Sequence, residues 1–118
     1  MEVAAANVAQ VIEALASHPW MIRSGARFLP QTEARFHKVS ADTLTWDWCD
    51  RHPAERGISG AVAYYDLDGE IVSIGVIVAD NQVTEIELWR GDDKPILSSP
   101  QRANMWEVMP GQSYFSRT

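Results

Sequence analysis

Cysteine occurs once in the 118 residues, at Cys49, so an internal disulfide is impossible and the chain suits a reducing compartment. No apolar run approaches the roughly 20 residues that span a bilayer, and the N-terminus has no basic start followed by an apolar signal core. A cytoplasmic protein with no membrane partner is the expectation. Metal-binding signatures are missing too: His18, His37 and His52 are widely spaced, with no His-Glu-x-x-His pattern and no paired cysteines. Glycine-rich phosphate loops, a Gly-x-Ser-x-Gly elbow, repeats and low-complexity tracts are likewise lacking. No cofactor is expected.

What is present fits one ordinary domain over residues 1–118, with 46% apolar and 22% charged residues. The net charge of −6 is uneven. Between Asp66 and Asp93 stand eight acids (Asp66, Asp68, Glu70, Asp80, Glu85, Glu87, Asp92, Asp93) against Arg90 alone. Such a region repels phosphate backbones and attracts cationic partners, which argues against nucleic acid even though Arg23, Arg27, Arg35 and Lys38 are interleaved with Phe28 and Phe36. Solubility alone would also account for the acidity.

Three strand-like runs organise the chain between Ala61 and Arg90: AVAYYD, IVSIGVIVA and VTEIELWR. Val72, Ile74, Val76 and Val78 alternate onto one face of the middle run, which should be buried. Ile86 and Leu88 should join them, leaving Val83, Glu85, Glu87 and Trp89 on the other face. A three-residue loop of Asp80, Asn81 and Gln82, with Asn81 left-handed, keeps Val76 opposite Ile86 and keeps the glutamates out of the core. Asp68-Gly69 is the preferred pair for a two-residue turn. It would set Tyr65 opposite Val72, and Ala63 and Ala61 opposite Ile74 and Val76. The opposite, half-polar face then collects Val62, Tyr64, Ser73, Gly75, Ile77, Glu85, Glu87 and Trp89.

Before the meander, Val3 to Ala16 carries Ala4, Val8, Val11, Ile12 and Leu15 at helical spacing, and Ser17-His18-Pro19 should end that helix. Trp20, Met21 and Ile22 follow as a hydrophobic anchor, and a short helix from about Gln31 to Phe36 is expected. Thr43 to Trp48 alternates as a fourth strand, with Leu44, Trp46 and Trp48 on one face. After the meander, Pro95-Ile96-Leu97 suits a short edge piece. Part of the apolar tail, around Met105 to Met109, should pack back as a strand or wrap the core, with a partner-binding tail as the alternative.

Nucleophile, acid and base types crowd together only at Cys49, Asp50 and His52. Sequence neighbours seldom meet the geometry that a cysteine catalyst needs, so a solvated loop after a strand is the favoured account and no catalytic residue is assigned. Asp66-Leu67-Asp68-Gly69-Glu70 looks like a fragment of a calcium loop, but it lacks the further ligands, and a hairpin turn explains it.

The segment YYDLDGEIVSIGVIVADNQVTEIELWRGDDKPI, Tyr64 to Ile96, resembles a family of small bacterial domains of unknown function. The shared pattern is an acidic strand, an Asp-Gly turn, a Val/Ile-rich strand, a short turn, then Glu-Leu-aromatic leading to a polar turn and Pro-Ile. That resemblance implies an α+β fold and carries no catalytic residues. In size and charge the chain is also similar to immunity proteins that neutralise basic bacterial toxins.

The expected architecture is α+β: an N-terminal helix, with a second allowed, packed on a mostly antiparallel sheet of four to five strands around the central meander. The expected function is non-enzymatic binding of a cationic protein by Tyr64, Glu85, Glu87 and Trp89, aromatic groups bordered by carboxylates. A small-molecule pocket between the sheet and the Arg23 to Lys38 segment, or a cysteine-dependent enzyme built on Cys49, Asp50 and His52, is the alternative.

Overall fold

The computed structural model describes residues 7–48, 60–101 and 104–108. The first helix, α1 (Val8–Ala16), starts where the side chain of Asn7 accepts a hydrogen bond from the Gln10 amide at 2.9 Å, an N-cap that satisfies one otherwise orphaned donor. It stops at Ser17, as expected from the following proline. The chain then turns at once into α2 (Pro19–Ser24), because proline is tolerated at the first position of a helix, where no amide donor is needed. The anchor read at Trp20, Met21 and Ile22 is thus helical, with Met21 buried and Ile22 exposed. Gly25, at φ +70°, ends it.

Among the described residues seven strands form one sheet: β1 (Arg27–Phe28), β2 (Arg35–Ser40), β3 (Thr43–Asp47), β4 (Gly60–Tyr65), β5 (Ile71–Ala79), β6 (Gln82–Trp89) and β7 (Met105–Glu107). The order is β2-β3-β6-β5-β4-β7, every neighbour antiparallel, with β1 pairing in parallel with the start of β6. The fold is therefore mostly sheet, α+β, and the sheet is larger than the four to five strands expected. β1 is only two residues long, and all of β2 is exposed, so neither shows the apolar alternation by which strands are recognised. In place of a helix over Gln31 to Phe36 there is one 3₁₀ turn, Gln31–Glu33, opened by Pro30, after which Arg35 begins β2. Residues 95–97 form no strand, although Ile96 is buried.

Two hairpins set the register, and each departs from the expected one. At the first, five residues, Asp66–Glu70, lie between the paired Tyr65 and Ile71. The Gly69 amide donates to the Asp66 carbonyl at 3.0 Å and the Asp66 amide to the Glu70 carbonyl at 2.7 Å, with Gly69 alone left-handed at φ +89°. Pairing is displaced by one residue, so Tyr64 lies opposite Val72 and Val62 opposite Ile74. Tyr64 and Val62, rather than the alanines, face the core. At the second hairpin the loop is two residues, Asp80 and Asn81, at φ 54° and 62°. A bulge then restores the parity: Val78 pairs with Val83, Ile77 with Glu85, and Thr84 is extra. Val76 still meets Ile86, as expected, but Val83 turns into the core instead of sharing a face with Glu85.

The inner face of the sheet presents Val62, Tyr64, Val72, Ile74, Val76, Val83, Ile86 and Leu88, all essentially inaccessible. Val11, Ala14 and Leu15 of α1 and Met21 of α2 join them in one cluster that also holds Trp46 and Met105. Each such aliphatic side chain contributes about 1.5–3 kcal/mol on burial. Arg23 of α2 reaches Glu107 of β7 at 2.8 Å and fastens the helical layer to the far strand.

Candidate functional site

One end of the sheet gathers the β4–β5 turn and the loop that follows β6. Arg90, just past β6, points its side chain between them and is only 1% exposed. Its Nε and one terminal nitrogen donate to Asp92 at 3.0 and 2.7 Å, and that same nitrogen also donates to Asp68 at 2.8 Å. The other terminal nitrogen donates to Asp66 at 2.8 Å and to Asp68 at 3.0 Å. All five guanidinium donors are used. Asp66, fully buried, is also saturated: besides Arg90 it accepts from the amides of Leu67 and Leu97 and from the Ser98 hydroxyl. The guanidinium fills the space between Asp66 and Asp68, the two aspartates of the calcium-loop-like fragment, and Asp92. Among the described residues no group of His, Cys, Asp or Glu is arranged to hold a metal.

The electrostatics follow from these bonds. Burial by itself raises the Asp66 carboxyl, but the donors from Leu97, Ser98, Leu67 and Arg90 outweigh it and hold it below the usual carboxylate range. Asp68 is lowered chiefly by Arg90, and Asp92, for the same reason, to about 2. Arg90 is raised, first by Asp92 and then by Asp68. Nearby, burial also opposes ionisation of Asp42, but the Asp93 amide and the Ser40 and Thr43 hydroxyls lower it overall. This cluster is a knot that joins three loops, its carboxylates bonded to Arg90 and to neighbouring backbone amides.

The outer face of the sheet carries Glu85, Glu87 and Trp89 at alternate positions of β6, together and half-buried. Asp47 lies opposite Glu85, a like-charge pair that would destabilise the ladder were Asp47 not held by Arg35 at 2.6 Å and His37 at 2.9 Å. Tyr64 does not belong to this group. The one-residue displacement of the first hairpin turns it inward, where it is 1% exposed, its hydroxyl donates to the Ser98 carbonyl at 2.8 Å, and burial, followed by the Asp66 charge, pushes its phenol above the ordinary range. The middle of the outer face is also less open than the sequence implies, since Ala61, Ala63, Ser73, Thr43 and Thr45 are all buried.

The same displacement brings a different aromatic outward. Tyr65, paired with Ile71 at the end of β4, is 59% exposed, and its ring lies 4.9 Å from that of Trp106 on β7, tilted by 45°. Sequence reasoning did not single out either residue as a binding group. Tyr65 was assigned inward by the assumed two-residue turn, and the pairing of β7 with β4 joins positions about 40 apart, for which no local pattern exists.

Cys49, Asp50 and His52 lie outside the described residues. A cleft of about 720 Å³ opens between α1 and residues 97–101, lined by Gln10, Glu13, Ser17, Ser98, Ser99 and Gln101. Its lining holds hydroxyls and amides with a single charge and no paired acid and base.

Comparison with protein-family models, curated proteins and solved structures finds no match to this chain in any of the three. The family resemblance of Tyr64 to Ile96 rests on its residue pattern alone. No helix among the described residues is long and apolar enough to cross a membrane.

Proposed function

We propose that this chain is a non-enzymatic binding protein whose acidic side receives a cationic protein, acting in the cytoplasm. An immunity protein that neutralises a basic toxin is the finer form of this reading. The observation that carries it is the distribution of charge. Arg90, the one base from Asp66 to Asp93, is spent internally on three aspartates, and the eight acids of that segment leave it with a net negative charge. Glu85, Glu87 and Trp89, at alternate positions of one strand, place two carboxylates and an indole together on the outer face of the sheet. Such fields steer encounter with a cationic partner, and they weaken with salt.

The test is capture from a lysate of the native host by immobilised wild type and by a Glu85→Lys/Glu87→Lys variant with matched melting temperature. The expected result is a basic protein retained in a 1:1 ratio by wild type and released both by raised salt and by charge reversal. Retention of the same protein by both forms, unaffected by salt, would overturn the electrostatic reading.

A further inference from the structure

We infer that Tyr65, Ile71 and Trp106, with Leu67 at the adjoining turn, form the anchoring patch for arginine or lysine side chains of the partner. The inference rests on the binding reading above and moves its energetic centre from β6 to the β4–β7 side of the sheet. Three large apolar side chains are exposed here side by side, Tyr65 at 59%, Ile71 at 45% and Trp106 at 37%, and Leu67, at 78%, is exposed in the adjoining turn. Tyr65 and Ile71 are direct cross-strand partners, and Trp106 meets Tyr65 ring to ring. By contrast, the exposed Ile22, Phe36 and Val39 lie on α2 and on the β2 edge. A contiguous apolar patch rimmed by charge marks an interaction surface more often than scattered exposed residues do.

The rim selects the partner. Glu70 and Asp93, with the partly exposed carboxylates of Asp68 and Asp92, stand against Lys94 and the guanidinium of Arg90, which is itself fully engaged. Faces of tyrosine and tryptophan attract guanidinium and ammonium groups, and carboxylates at the border hold the same groups by charge. A second copy of this chain would bring like charges together, and a nucleic acid would meet the same repulsion. The mount is rigid as well: Tyr65 is followed directly by Asp66, whose carboxylate oxygens are held by Arg90, Leu67, Leu97 and Ser98, so little ordering remains to be done on binding.

Octa-arginine, octalysine and octaglutamate, titrated into ¹⁵N-labelled protein at about 20 mM and about 150 mM salt, decide the matter. The cationic peptides should shift the Trp106 indole and the Tyr65 and Ile71 amides saturably, more weakly at high salt, and octaglutamate should shift none of them. Trp106→Ala and Tyr65→Ala should each weaken octa-arginine binding about tenfold, whereas Trp106→Phe should retain most of it. Ile71→Lys, at an already exposed position, should abolish binding and provides an independent check should an alanine variant lose its fold. Saturable shifts confined to Glu85, Glu87 and their neighbours, indifferent to Trp106→Ala, would overturn the patch while leaving an acidic binding face. No saturable shift with either cationic peptide would overturn both.

Discussion

Replacing Arg90 with methionine keeps most of the stem but leaves Asp66, Asp68 and Asp92 without their cation. Removing one partner of a buried ionic group costs about 3–5 kcal/mol, mostly because the remaining charges are stranded, and that is a large share of a small domain's stability. Urea titration should show the loss as a lower midpoint with an unchanged slope. Tyr64→Phe removes only the hydroxyl that donates to the Ser98 carbonyl, and about 1 kcal/mol is expected from that bond. Because Tyr64 sits in the core, this variant should bind any cationic peptide as wild type does, which separates it from Tyr65→Ala in the same titration. Neighbouring tyrosines thus have opposite duties, one structural and one at the surface, decided by a single step of register.

At the scale of elements, the β5–β6 hairpin carries its own correction. Thr84 is the surplus residue of the bulge, so deleting it would leave Val83 opposite Val78, Glu85 opposite Ile77 and Ile86 opposite Val76, the pairs already present. A Thr84 deletion should therefore melt cooperatively, less stable by the loss of the bond from the Trp48 amide to the Thr84 carbonyl. Deleting Glu87 should abolish cooperative melting, because Leu88 would turn outward or a carboxylate inward. Circular dichroism on both deletions decides this. The contrast also explains what the sequence could tell. The valine face of β5, its pairing with Ile86, the strand at Thr43 and the end of α1 at Ser17 were all legible, since each depends on residues within a few positions. The Asp66–Glu70 turn was not, because Asp66 is drawn away from a tight turn by Arg90, 24 positions on, and by Leu97 and Ser98. β2 was missed for another reason: an edge strand exposed along its whole length has no apolar face to announce it. Of the site residues, Glu85, Glu87 and Trp89 were correctly grouped by alternation, whereas Tyr64 inherited the error of the turn.

For the molecule as a whole, the carboxylates of the knot govern the response to acid. Asp42, Asp66, Asp68 and Asp92 titrate lower in the folded chain than the roughly 3.9 of a free aspartate, so the unfolded chain binds more protons in that range. The stability they contribute is complete above about pH 5 and is lost as pH falls toward about 2, the region where Asp92 titrates. Thermal melts from pH 7 to pH 2 should show a plateau and then a steep decline in wild type. In the Arg90→Met variant the decline should be shallower, since protonation there relieves repulsion between carboxylates.

The knot also has a consequence in time. It joins the loop after β6, the β4–β5 turn and the Leu97–Ser98 segment, so its bonds close only once the hairpins and the sheet have already come together. A contact of that kind is expected to form after the folding transition state and to act as a latch on the finished structure. Its loss should appear almost wholly as faster unfolding, with the refolding limb of a stopped-flow chevron left where it was. A chain latched in this way owes its persistence to a slow exit from the native state, and Arg90 sets the length of that stay.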